Sequence, residues 1–145
     1  WLYDVDGAER ALLRGMIASV LLAITVYAVT LRLLPSLFPS AMIAENIRMR
    51  ECRPPHVAST FSYQEPSLVF LLGTDTRFTD GPGAADFLRG GLCRFAVVDA
   101  RSERAFAQRA QSIGLRYSLS QRFEGYNISI GKPVSLTVFR SQVDQ

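Results

Sequence analysis

The stretch QEPSLVFLLGTDTRFTDGPGAADFL, residues 64–88, decides how this chain is read. Within it SLVFLLG, residues 67–73, is a continuous apolar run, the pattern of a central strand covered on both faces. A Gly-Thr-Asp-Thr turn follows. Pro82 then suits the first turn of a helix, with Asp80 or Gly81 as its cap. Strand, small-residue loop and helix form the layout in which a helix N-terminus holds phosphate. The loop GTDTRFTDGPG nevertheless has neither the G-x-G-x-x-G nor the G-x-x-x-x-G-K-[ST] spacing, and it contains no Lys. Arg77 is a side chain that can meet a phosphate; Asp75 and Asp80 fit turn and helix caps. The sequence favours a structural connection over a nucleotide site.

Working outward, Phe87 and Leu88 are expected to face the sheet and Gly90-Gly91 to end the helix. CRFAVVDA, residues 93–100, predicts a second buried strand, and Ser102 begins another helix. In that helix Phe106, Ala110 and Ile113 make one core stripe, with Gly114 as C-cap. From Tyr117 to Arg140 the chain alternates and is punctuated by Gly125, Gly131 and Pro133. It predicts two or three strands, VSLTVF the clearest. Upstream, Val57–Phe61 predicts a short strand. The order β-β-α-β-α-β-β describes a small α/β domain on a mixed sheet, with the two buried strands parallel across a crossover helix.

Before the domain, residues 12–34 read LLRGMIASVLLAITVYAVTLRLL, uncharged from Gly15 to Leu31. At about 1.5 Å per residue this segment spans roughly 34 Å, enough for a bilayer core of about 30 Å. Arg14 and Arg32 sit near its ends, where long side chains snorkel. A buried helix of a soluble protein would show a polar face. A signal peptide would have a basic leader in place of Asp4, Asp6 and Glu9. Pro35 and Pro39 then stop the helix, and Ser40 is placed to cap AMIAENIRMREC, residues 41–52. Ile43 and Ile47 share a face of that juxtamembrane helix, which either packs on the domain or touches lipid. The predicted organisation is a membrane segment at 1–34, a linker with amphipathic helix at 35–56, and a soluble α/β domain at 57–145.

Composition excludes more than it assigns. The formal charge of +3 is too small and too evenly spread for nucleic-acid binding. His56 is the sole histidine, which argues against a His-based metal site. No Ser stands in a G-x-S-x-G elbow. Asp75, Asp80, Asp86 and Asp99 lie at strand ends or helix starts, where capping is their expected role. Asn127-Ile128-Ser129 matches a glycosylation sequon, a pattern common by chance. No catalytic, cofactor-binding or metal-binding residue is assigned. Cys52 and Cys93 permit one disulfide, with two buried thiols as the alternative. A first residue of Trp1, without a self-contained catalytic set, suggests an accessory domain at the end of a larger membrane protein.

The strings LFPSAMIAENI, EPSLVFLLGTDT, CRFAVVDA and GYNISIGKPVSLTVF, in this order after an apolar helix, resemble the C-terminal end of bacterial family 39 glycosyltransferases. These are polytopic enzymes related to the aminoarabinose transferase of lipid A and to protein mannosyltransferases. The resemblance implies an inner-membrane protein ending in a small periplasmic α/β domain. Its partners would be the remaining transmembrane helices, membrane lipid and a polyprenyl-phosphate sugar donor. The sugar would pass to a periplasmic or lipid acceptor. The family's acidic catalytic residue lies in an upstream loop that this chain lacks. Asp4, Asp6 and Glu9 would lie on the cytoplasmic side and do not take its role. A periplasmic domain would meet an oxidising compartment, where Cys52 and Cys93, at element ends on one side of the domain, can bridge. Two other readings compete: a single-pass anchored α/β binding module without catalysis, and an anchored nucleotide-dependent enzyme.

Overall fold

The computed structural model describes residues 5–33, 35–50 and 52–142. It forms two units, residues 1–35 and 36–145. The first unit is one helix, α1 (Val5–Leu33). Within it Gly7–Val29, 23 residues of mean hydropathy 2.0, has no buried residue and is long and apolar enough to cross a membrane. The helix starts earlier than residue 12 and includes Glu9, Arg10 and Arg14; Leu34, the end of the expected span, lies outside the described residues.

The second unit is an α/β domain with a five-stranded mixed sheet in the order β2-β1-β3-β5-β4. A short 3-10 turn (Pro35–Leu37) leads into α2 (Pro39–Arg48). Then come β1 (His56–Thr60), α3 (Pro66–Leu72), β2 (Arg77–Thr79), α4 (Gly81–Arg89) and β3 (Arg94–Asp99). Helix α5 (Glu103–Ser112) and the hairpin β4 (Tyr117–Asn127) and β5 (Lys132–Ser141) complete it. β1 pairs in parallel with both β2 and β3, while β5 runs antiparallel between β3 and β4.

The sheet is covered on both faces, which is why β3 reads as an unbroken apolar run. Its side chains alternate. Phe95 and Val97 join Ile43 and Ile47 of α2, Leu68 of α3 and Leu136 and Val138 of β5. Ala96 and Val98 join Ala84, Ala85 and Leu88 of α4, Phe106 and Ala110 of α5, and Phe139. The expected Phe106–Ala110 stripe is thus in the core, with Ile113 packed at its edge and Gly114 in the left-handed region at φ 64°. Leu88 is buried, whereas Phe87 is half-buried under the Arg94 guanidinium, 4.8 Å from its ring centre.

Residues 67–73 are not a strand. Residues 67–72 belong to α3, the seven-residue helix Pro66–Leu72. Pro66 takes the first helical position, where its fixed φ and missing N–H cost nothing, and Gly73 ends the helix at φ 113°. A short apolar run does not by its periodicity distinguish strand from helix. The central parallel strand is instead β1, which pairs with β3 from His56↔Arg94 to Ser59↔Val97. Its Ser59 and Thr60 are buried but bonded: Ser59 donates to the Tyr63 carbonyl at 2.9 Å and Thr60 to Asp99 at 3.0 Å. β2, within the expected loop, is an edge strand.

One further expectation changes. Ser40 does not cap α2: that helix has no side-chain cap and opens on Pro39, with Ser40 buried in its first turn. Of the two roles open to that helix, packing on the domain is the one seen: Ile43, Ala44 and Ile47 are buried. The tail forms two strands.

Candidate functional site

The connection that opened the sequence reading has no phosphate cradle. A helix precedes it, and the N-terminus of α4 is occupied by its own cap: Gly83 donates its N–H to the Asp80 carboxylate at 2.8 Å. Arg77 is exposed and shares a polar cleft of about 420 Å³ with His56, Asp75 and Arg94, the last bonded to the Phe87 carbonyl at 2.9 Å.

Three further acidic side chains, Asp86, Asp99 and Glu103, are engaged structurally. Asp86 pairs with Arg109 at 2.9 Å and ties α4 to α5. Asp99, at the end of β3, accepts from Thr60 and from the Arg101 amide at 3.1 Å. Burial raises its pKa, but hydrogen bonds from Ser102, Ser62, Thr60 and the Arg101 amide outweigh that and hold it below the usual carboxylate range. Glu103 accepts two bonds from Arg122 at 2.8 Å and one from Thr137. His56 is exposed, and no group of three or more metal-ligating side chains occurs among the described residues. Asn127 of the sequon is buried. Its carboxamide oxygen accepts from the Ile130 amide at 3.2 Å, so it is not presented as a glycan acceptor.

Cys52 and Cys93 are joined, with Cα atoms 5.2 Å apart. Cys52 follows α2 and packs against the core; Cys93 precedes β3. The bridge therefore fastens the α2 segment to the sheet.

What the sequence reading did not anticipate is a cleft of about 270 Å³ where the 3-10 turn, the start of α2, α3 and the end of the β4–β5 hairpin meet. Two local features build it. Pro39 and Pro66 start α2 and α3 beside each other. Gly125 lets β4 approach the domain's first residues: a Cβ there would lie 2.8 Å from the Ser36 carbonyl oxygen and 3.0 Å from Pro39.

The floor of the cleft is polar and internally satisfied. Ser67 donates to Ser40 at 2.9 Å, and the Ser40 hydroxyl bonds the Tyr63 hydroxyl at 2.6 Å. Glu65, only 9% exposed, accepts from the Ser129 amide at 3.1 Å. Burial pushes the Tyr63 phenol up to about 12; its bond to Ser40 opposes the rise and nearby Glu65 adds to it. The rim is apolar, formed by Phe38, Leu71, Tyr126 and Ile128. The strings SYQEP and GYNISI held this signal, but nothing in either shows that they meet across sixty residues of chain.

Compared with known proteins, the chain matches no family model, no curated protein and no solved structure.

Proposed function

We propose that this chain is the C-terminal accessory part of a polytopic inner-membrane glycosyltransferase, with its α/β domain in the periplasm. The parent enzyme would transfer a sugar from a polyprenyl-phosphate carrier to a periplasmic or lipid acceptor. The observation that carries this reading is α1: a stretch of 23 residues with mean hydropathy 2.0 and no buried residue needs lipid or other helices around it. The Cys52–Cys93 bridge supports an oxidising compartment. Four acidic groups of the domain support an accessory role, because Asp80, Asp86, Asp99 and Glu103 serve a cap, ion pairs and strand-end bonds, while Asp75 stands exposed in the polar cleft beside Arg77. The likeness of the four sequence strings to the family supplies the reaction class.

The test is the coding sequence upstream of Trp1. Several hundred codons for further apolar helices support the reading; a start codon immediately before Trp1 overturns it. A second measurement addresses the accessory role. The 145-residue chain alone, given a polyprenyl-phosphate sugar and an acceptor, is expected to transfer nothing, and transfer overturns that role.

A further inference from the structure

Three segments meet at the cleft, residues 37–41, 63–71 and 126–129. The one charged residue among those that line it is Glu65, 9% exposed and bonded to the Ser129 amide. The large exposed side chains in and beside these segments are apolar. Phe38 and Tyr126 are 40% and 45% exposed, Ile128 and Ile130 59% and 57%, and Phe70 88%. Phe70 lies three residues from Ser67, which with Leu71 lines the cleft, so helical spacing puts it on the same face of α3.

The floor needs no ligand, because Ser40, Tyr63, Glu65, Ser67 and Ser129 bond one another. Among the described residues nothing covers the rim. Along the chain Phe38 is five residues beyond Leu33, the end of α1, a separation of at most roughly 18 Å even when fully extended. On the other side of α3, Leu71 also lines a second cleft, shared with Arg53 and with Arg48, whose guanidinium donates one of its N–H groups to the Leu71 carbonyl and keeps the others for a further acceptor. Aromatic and aliphatic side chains flanked by arginines are the composition of interfacial membrane contacts, in which apolar groups enter the acyl boundary and the cations meet lipid phosphates.

We propose that this face, Phe38, Phe70, Tyr126, Ile128 and Ile130, docks into the interfacial layer of the bilayer that α1 crosses, with Arg48 and Arg53 against anionic head groups. The domain then stands on the membrane through the α3 face and the hairpin tip as well as through its tether. The inference rests on α1 crossing a bilayer, which it shares with the proposed function, and not on sugar transfer.

The test uses the full 145-residue chain in vesicles of phosphatidylcholine and phosphatidylglycerol, in a Trp1→Phe background that leaves no other indole. Ile128→Trp places a probe at the hairpin tip, and Leu119→Trp an equally exposed one about 25 Å away near the start of β4. Leu22→Trp reports on α1 itself. Lipids brominated near the acyl carbonyl are expected to quench the indole at position 128 severalfold and to leave that at 119 unaffected. Lipids brominated near the chain terminus quench the indole at 22. An indole at 128 reached by aqueous iodide and not by brominated lipid overturns the proposal. One shielded from both also overturns it, and points to a second copy covering the face. Loss of quenching at 22 shows instead that α1 is not inserted, so the shared premise has failed. Phe70→Trp repeats the measurement from α3 if the hairpin variant melts abnormally.

Discussion

Removing the Cys52–Cys93 bridge is the sharpest perturbation of the domain. The bridge spans a sequence separation of 41 residues. In the chain-entropy model, closing a loop of that length restricts the unfolded chain by roughly 4 kcal/mol. For a domain of about 110 residues, 1 kcal/mol moves Tm by about 4 °C. Cys52→Ser with Cys93→Ser is therefore expected to lower Tm by about 16 °C. A second pair of substitutions separates the bridge from its backbone setting. Cys93 sits at φ 59°, in the left-handed region, where a non-glycine residue costs about 1–2 kcal/mol. Serine retains that cost, and glycine removes it while gaining some unfolded-state freedom. Cys52→Ser with Cys93→Gly should therefore recover roughly 1 kcal/mol of the loss. The assay is thermal melting followed by near-ultraviolet circular dichroism, which reports the domain's aromatic packing and not the helicity of α1. Mass analysis of alkylated, unreduced protein runs beside it. Two alkylatable thiols in native periplasm-expressed protein, or a serine pair that melts with the unsubstituted chain, would refute the reasoning.

Other outcomes follow from the buried polar groups and the cleft wall. Of the five tyrosines, Tyr63 should ionise at about pH 12, a step seen by absorbance at high pH and lost in Tyr63→Phe. Because its folded pKa is raised, its contribution to stability is complete below the unfolded value of about 10 and declines as pH rises from there towards the folded value. Asp99 has a depressed folded pKa, so its contribution is present above the unfolded value of about 3.9 and is lost as pH falls through the folded one. Asp99→Asn should cost about 1–3 kcal/mol at neutral pH and flatten the acid limb of a denaturant-midpoint profile. Gly125→Ala forces a methyl against the Ser36 carbonyl and Pro39, and should lower Tm by about 4–12 °C.

Much of the domain was legible from residues alone, for identifiable reasons. The helix at Gly81–Arg89 announced itself through Asp80 and Pro82, and the one at Glu103–Ser112 through the Phe106–Ala110 spacing. β3 was recognisable because its strand is apolar on both faces. β1 was recognised only as a minor strand, because its interior position rests on Ser59 and Thr60, polar residues made acceptable by partners at Tyr63 and Asp99. β2 is three residues long, too short to show an alternation. Within the cleft, the Ser40–Tyr63 and Glu65–Ser129 bonds join residues 23 and 64 positions apart, and no local pattern encodes such pairings.

The misreading of residues 67–73 bears directly on function. A run of seven residues with no charge predicts a strand buried on both sides. In the domain only Leu68 of that helix is buried, while Phe70 is 88% exposed. Folding therefore accounts for Leu68 and, packed half-buried against the same core, Leu72, and leaves the phenyl ring unexplained. Single exposed apolar residues are ordinary. A phenylalanine that shares a helix face with the lining of a cleft whose other walls expose Phe38, Tyr126 and Ile128 is part of a patch, and contiguous patches mark contact surfaces. The same chain supplies, ending five residues before Phe38, a helix suited to lipid. The apolarity that sequence reasoning assigned to a protein interior belongs, on our proposal, to a second nonaqueous phase. Hydropathy cannot separate the two, because it records that a residue avoids water and not what it meets instead.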